Sequence, residues 1–380
     1  MAESPNSSKP AVTARRPSSL LMVPLGIIAV VLVGAALREA RAVILPLVFA
    51  WMLAQLLSPL IVLLAKRRVP AGLSIGFALT ILLFIAYWTT AFVSVSAASF
   101  LGGLDEYKKQ VGVIVGDIIY WINVRFGSLS SDAINQEIRE ELVAMFGVMM
   151  QFTGVMAGAL TKILANIILV FIILAFMLVG RPYGEMKIKQ AFAHDTAERV
   201  AKIIGTISRQ LSHYLSMQFL ISLATGLLVW LTCKLVGLDA APTWGALAFF
   251  LNFIPTLGSI LAGVPPVLLA LLQFYPSVGP ALIILVSVII INQILGNIVA
   301  PKIMGDQLNL SPVVILLSVM FWGWLWGIAG AFLSVVITCS IKIVCENITM
   351  LHPVSVMMSS GKAIRKQAQA EAREEAIEHA

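Results

Sequence analysis

Long apolar runs separated by short polar turns dominate the chain: Leu20–Leu37, Ala42–Ala65, Leu73–Ala97, Ile163–Val179, Leu215–Leu235 and Val278–Ile298. Each falls near the roughly 17–25 residues a helix needs to cross about 30 Å of hydrocarbon. They predict six spans. Between the third and fourth runs the pattern changes. Polar residues recur from 100 to 155, while Val111, Val115, Ile118, Ile119, Ile122 and Phe126 keep a helical spacing. That spacing predicts an amphipathic arm, whose apolar face packs on its own membrane domain, on a neighbouring subunit or in the lipid interface. After the fourth run, Asp195 and Glu198 resemble a helix-starting arrangement. The apolar face Val200, Ile203, Ile204, Ile207, Leu211, Tyr214 and Leu215 then leads a basic amphipathic helix into the fifth span.

Two further apolar stretches do not fit a simple span. Thr243–Gln273 has about 31 residues, or about 46 Å as one helix. It is interrupted at Asn252-Phe253-Ile254-Pro255-Thr256-Leu257-Gly258 and again at Pro265-Pro266. Ser311–Val344 has about 34 residues and is interrupted from Gly323 through Gly327 to Gly330. Breakers inside lipid free backbone groups, which is tolerated only where protein or a watery cavity covers them. Two over-long, broken segments flanking one clean span match the paired hairpins of secondary transporters. The expected architecture is all-α: a polytopic membrane protein of six full spans plus two re-entrant hairpins, with eight plain spans as the alternative. If both segments are hairpins, the first opens outside and the second inside, and Lys302 is cytoplasmic. If both are full spans, Lys302 and Asp306 face outward.

Charge sets the orientation and the boundaries. The chain has 380 residues, 59% of them hydrophobic and only 12% charged, a balance that excludes an ordinary soluble fold. Its formal charge of +7 is best read by location, since Lys and Arg collect on the cytoplasmic side. Lys66-Arg67-Arg68 marks a cytoplasmic loop, which puts both termini in the cytoplasm. The expected organisation is a basic leader at 1–18, three spans within 19–99 and an extracytoplasmic arm at 100–158. The fourth and fifth spans with the basic helix occupy 159–240, the transport core 241–346, and a cytoplasmic tail 347–380. The first run reads as an uncleaved span rather than a signal peptide, because it is long and no small-residue cleavage site follows it. Cys233, Cys339 and Cys345 lie in apolar segments without metal-ligand spacing, so they read as small buried hydrophobes.

Candidate chemistry is correspondingly sparse. The four histidines are scattered, no phosphate-cradling loop is present, and no Ser or Cys has a base nearby in sequence. The reading is therefore a non-enzyme with no cofactor and no nucleic-acid partner, whose partners are lipid, a small solute and further copies of itself. Asn252, Asn292, Gln293 and Asn297 are amides in an otherwise apolar block; such groups coordinate ions, bind polar solutes or bond helix to helix. Asn252 stands out because it adjoins Pro255 and Gly258, where unwound backbone adds carbonyl and amide groups. Asn252, Pro255, Gly258, Asn292 and Asn297 are the candidate solute-binding positions. Lys302, Asp306, Gly323 and Gly327 are the candidate gating positions. Trp322, Trp324 and Trp326 stack on a solute or form an interfacial belt.

Three motifs carry a family resemblance: Leu251–Gly258 with Gly263-Val264-Pro265-Pro266; Gly296–Gly305; and Leu316-Leu317-Ser318 with Phe321-Trp322-Gly323-Trp324 and Gly327–Ser334. Together they are similar to the autoinducer-2 exporter (AI-2E) family of permeases over about residues 20–350. The resemblance implies a homo-oligomeric bacterial inner-membrane protein. It implies export of a signalling molecule such as autoinducer-2 or a related metabolite, or, in some branches, sodium–proton exchange. Two positions depart from the family pattern. Ala300 stands where an acidic residue is common, and Val336 where Pro is common in the last apolar segment. Without the acid the motif lacks its obvious cation ligand. The expected function is a secondary transporter for a small polar solute working by alternating access; an antiporter on the same fold and an oligomeric channel are the alternatives.

Overall fold

The computed structural model describes residues 19–102, 104–126, 136, 140–141, 144, 147, 167–255, 257–304 and 310–361. The leader, the second part of the arm, residues 163–166 of the fourth predicted span, Asp306 and the tail beyond 361 lie outside them. Among the described residues every regular element is a helix, and one isolated bridge joins Leu310 to Ser359.

The chain divides into a unit of residues 1–44 and a unit of residues 45–380. In the first, the leading apolar run forms α1, Ser19–Glu39. The helices that follow are α2 (Arg41–Lys66), α3 (Ala71–Gly102), α4 (Leu104–Phe126), α5 (Ile167–Ala191) and α6 (His194–Val236). Among the described residues five segments are long and apolar enough to cross a membrane: Arg41–Lys66, Ala71–Thr89, His194–Val236, Gly279–Ile303 and Ile328–Asn347. Large apolar side chains point away from the protein on these segments and on the shorter apolar helix α5, among them Phe84 at 63% exposed, Phe176 at 75% and Leu235 at 78%. A surface of this kind is stable only against another apolar phase.

Helix α6 is the axis of the second unit. Its 43 residues span about 64 Å. The basic amphipathic stretch and the fifth span are one continuous helix because no proline intervenes before Gly237, whose φ of 82° ends it. The start differs from the sequence reading. Ala193 occupies the N-cap and has no side chain to offer an acceptor, while Glu198 pairs with His194 at 3.5 Å instead.

The apolar face of the arm packs on its own membrane domain. Tyr107, Val111 and Val115 of α4 are buried in one cluster with Trp244, Leu269 and Leu272. Tyr120, Trp121 and Val124 on the other face are exposed.

Both over-long segments fold as helix–break–helix. The first comprises α7 (Ala241–Leu251) and α8 (Leu257–Gln273). At 11 residues α7 reaches only about 16 Å. The clean span that follows is α9 (Gly279–Asn292), a π-helical stretch at Gln293–Val299, and α10 (Ala300–Met304). The second broken segment is α11 (Pro312–Trp326) and α12 (Ile328–Asn347), followed by a 3₁₀ turn and α13 (His352–Met358).

Candidate functional site

The first hairpin closes on itself at its base. The Asp239 amide donates to Gln273 Oε1 at 2.9 Å, and Gln273 Nε2 donates to the Gly237 carbonyl at 3.0 Å. Segment 243–273 therefore returns to the end of α6 from which it started, and the single-crossing alternative is not the one this chain adopts. Helix α4 clasps this base: the Tyr107 hydroxyl donates to Asp239 at 3.0 Å, and that of Tyr275 donates to Asp117. Burial, then the Asp239 hydrogen bond and negative charge, push the Tyr107 phenol above the ordinary tyrosine range. The Asp117 bond raises Tyr275 in the same direction.

Small residues let this hairpin lie close to α6. A Cβ on Gly226 would come within 2.8 Å of the Gly245 carbonyl, and one on Gly245 within 2.5 Å of Trp230 Cβ. At the tip, the Pro255 ring and the missing side chain of Gly258 turn the chain. A Cβ on Gly258 would overlap the Leu251 carbonyl, so the two arms meet backbone to backbone. The break is stitched by short bonds, Ile254 N–H to Leu251 at 2.8 Å and Gly258 N–H to Ile254 at 3.0 Å.

Asn252 sits at this break and is tied to α6. Its Nδ2 donates to Ser222 Oγ at 3.0 Å, and Gln218 Nε2 donates to the Asn252 carbonyl at 2.7 Å. Ser222 is fully buried and Asn252 half-buried. Of the options the sequence left open, Asn252 in this state makes a helix-to-helix bond. Gln218 and Ser222 are the partners that sequence reasoning missed. A second polar cluster lies nearer the start of α6. There Ser208 donates to Gln55 Oε1 at 2.7 Å and Ser212 to the Gln55 carbonyl at 2.8 Å. The spacing of Ser208, Ser212 and Ser216, and then of Gln218, Ser222 and Thr225, places two polar stripes on neighbouring faces of α6. That spacing was the available signal.

The second hairpin turns at Gly327, whose φ of 67° and ψ of −146° belong to a region open essentially only to glycine. Gly330 permits the arms to touch, since a Cβ there would overlap the Trp322 carbonyl, whereas a Cβ on Gly323 would lie at an ordinary 3.6 Å from Ala331 Cβ. Ser318 Oγ bonds the Ser334 carbonyl at 3.0 Å and Thr338 Oγ1 at 2.5 Å, and Trp322 Nε1 donates to Thr338 at 3.3 Å. Trp322 and Trp326 are thus buried hairpin residues; of the three tryptophans only Trp324 faces outward, at 69% exposed.

The tips of the two hairpins meet. Phe253 of the first break stacks on Phe332, one turn past Gly327, with centroids 4.7 Å apart.

Other candidates lie elsewhere. Asn292 is half-buried, and Asn297 is exposed and donates to Gln293 within the π-helical stretch. Among the described residues no hydrogen bond joins them to the Asn252 cluster. Lys302 is exposed on α10. Two features escaped the sequence reading altogether. A polar cleft of about 720 Å³ lies between the start of α6 (Asp195, Glu198, Arg199, Lys202) and the end of α12 and its continuation (Glu346, Asn347, Thr349, His352). At its edge Lys342, 3% exposed, is the one buried charge among the described residues and pairs with Glu346 at 2.6 Å. No group of His, Cys, Asp and Glu among them is placed to hold a metal ion.

Apolar helices with outward-facing aliphatic surfaces and paired broken hairpins define a polytopic helical membrane protein of the transport class. The profile of the AI-2E family transporters matches residues 25–350, and the chain belongs to that family. Among its relatives is the AI-2 transport protein TqsA of Escherichia coli (strain K12), 30% identical over 352 residues that cover 93% of this chain and 98% of that protein. A Haemophilus influenzae protein named "Putative transport protein" is 30% identical over 331 residues, 85% of this chain and 92% of its own. A Borreliella burgdorferi protein of the same name is 29% identical over 338 residues, 89% and 90% of the two chains.

Proposed function

We propose that this protein is a secondary transporter that exports a small polar solute of the autoinducer-2 kind by alternating access, with the tip of the first hairpin as the solute site. The observation that carries the reading is the junction of the two tips at Phe253 and Phe332, beside the Gln218–Ser222–Asn252 polar cluster. A hairpin arm of about 16 Å ends near the middle of about 30 Å of hydrocarbon, where a transporter site is expected. In the proposed orientation Lys66-Arg67-Arg68 is cytoplasmic, so the start of α6 and the base of the second hairpin face the cytoplasm. The base of the first hairpin and α4 face outside. Lys302 then lies at the cytoplasmic mouth.

In this reading the Asn252 amide exchanges its Ser222 partner for an oxygen of the solute when the tip lifts from α6. Pro255 and Gly258 hold the break open, and Gly323 and Gly327 let the second hairpin flex. The name of the TqsA relative supports autoinducer-2 as the first solute to test. Energy comes from the solute's own gradient or from a coupled ion.

The test is flux of autoinducer-2 from loaded proteoliposomes. The account expects saturable flux that Asn252→Ala slows severely. An Asn252→Ala protein that inserts normally and transports at the unmutated rate removes this site. Single-channel current steps in planar bilayers would replace the carrier with a channel, and a requirement for sodium would replace uniport with antiport.

A further inference from the structure

We infer that the ring run Phe49–Phe332–Phe253 is the closed gate between two polar half-paths; the inference rests on the transport reading above. On one side lie Gln218, Ser222 and Asn252, on the other Gln55, Ser208 and Ser212. Along α6, Ser212 and Ser222 are ten residues, or about 15 Å, apart. Phe253 directly follows Asn252 in the outer cluster. Phe49 precedes Gln55 of the inner cluster by six residues, about 9 Å of α2. Phe332 joins the two rings, with centroids 4.7 Å from Phe253 and 5.8 Å from Phe49.

Position separates this run from ordinary core packing. Among the described residues, Phe332 is the one side chain that packs against both the apolar cluster around the first hairpin and the cluster of α2, α6 and α12. Phe253 also sits at the first helix break and Phe332 one turn past the second, beside backbone that is best able to move. A solute passing from one polar cluster to the other has to part them. While they are stacked they form an apolar constriction, which is one way such a path is closed. The gate predicts a size limit as well: the solute is small enough to pass between hairpin tips that separate by about one ring thickness.

The test reads the barrier directly and needs no solute. In full-length protein with Cys233, Cys339 and Cys345 replaced by Ala, Asn252→Cys, at a half-buried position of the outer cluster, is labelled with a membrane-impermeant thiol reagent from each side of proteoliposomes. With Phe332 present, labelling is expected from the outside only. Phe332→Ala is expected to raise the rate from the cytoplasmic side by about ten-fold, the scale set by losing its two ring pairs, with Phe253 and Phe49. Phe332→Trp, which keeps a ring, is expected to hold the cytoplasmic side closed. Outside labelling that persists in Phe332→Ala reports an intact fold; if it is lost, Phe332→Leu takes its place under the same criterion. A cytoplasmic rate unchanged by removing the ring overturns the gate, as does labelling from both sides before the ring is removed. Because no solute is involved, failure of autoinducer-2 flux leaves this result readable.

Discussion

The tie between the first hairpin and α6 gives a quantitative prediction that separates side-chain from backbone contributions. Asn252→Ala deletes the 3.0 Å bond to Ser222, but Ser222 Oγ keeps Gln218 Nε2 at 3.4 Å. One interhelical bond is lost and no buried group is orphaned, which costs about 0.5–1 kcal/mol. Gln218→Ala is different. It removes the donor at 2.7 Å from the Asn252 carbonyl, which accepts no backbone N–H among the described residues. Leaving it unsatisfied at membrane depth costs about 1–3 kcal/mol. Gln218→Ala is therefore expected to destabilise by about 1–2 kcal/mol more than Asn252→Ala. A cycle of Asn252→Ala with Ser222→Ala is expected to show a coupling of about 0.5–1 kcal/mol. The assay is unfolding by sodium dodecyl sulfate titration in mixed micelles, followed by far-ultraviolet circular dichroism. If Gln218→Ala costs no more than Asn252→Ala, the carbonyl has another partner and the reasoning fails.

Other consequences can be checked on the same preparation. Gly258→Ala and Gly330→Ala each force a Cβ into a facing carbonyl, so both are expected to abolish monodisperse protein in size-exclusion chromatography. Gly296→Ala meets nothing within 4 Å and is expected to be neutral or stabilising by up to about 1 kcal/mol. Glu346→Gln strands the buried Lys342 ammonium and is expected to destabilise by about 3 kcal/mol, whereas Lys342→Met removes the buried charge and is expected to be nearly neutral in the same titration. Tyr107 holds its proton more tightly folded than unfolded, so its contribution is complete below about pH 10 and declines as pH rises beyond it. Tyr107→Phe is expected to flatten that alkaline loss of stability; an unchanged slope would assign the loss elsewhere.

Much of the architecture was legible because membrane constraints act on local composition. A run of about 20 apolar residues has few fates, and the length excess of 243–273 and 311–344 already pointed to chains that double back. The breaks at Asn252–Gly258 and Gly327 were readable because Pro and Gly act on their own backbone. Partnerships were not. Asn252 could be singled out, but nothing local says that it meets Ser222 and Gln218, which lie about 30 residues away in sequence. The tryptophan belt failed for a related reason: composition cannot tell which face of α11 turns toward α12, and Trp322 and Trp326 turn inward to serve the hairpin. The Asp195–Glu198 cap failed because the helix starts at His194, one residue before the side chain expected to cap it. Nor does the sequence show that Lys342 is buried, since a charge near a helix end is as readily solvated as, here, buried and paired.

The central claim is that two hairpins enter from opposite sides and meet near the middle of the membrane, and the most direct measurement is the sidedness of their bases. In protein without native cysteines, Ser277→Cys follows the base of the first hairpin and Lys302→Cys precedes the second; both positions are exposed. The account predicts that an impermeant thiol reagent reaches Ser277→Cys only from outside and Lys302→Cys only from the cytoplasm. Labelling of Lys302→Cys from outside would contradict it.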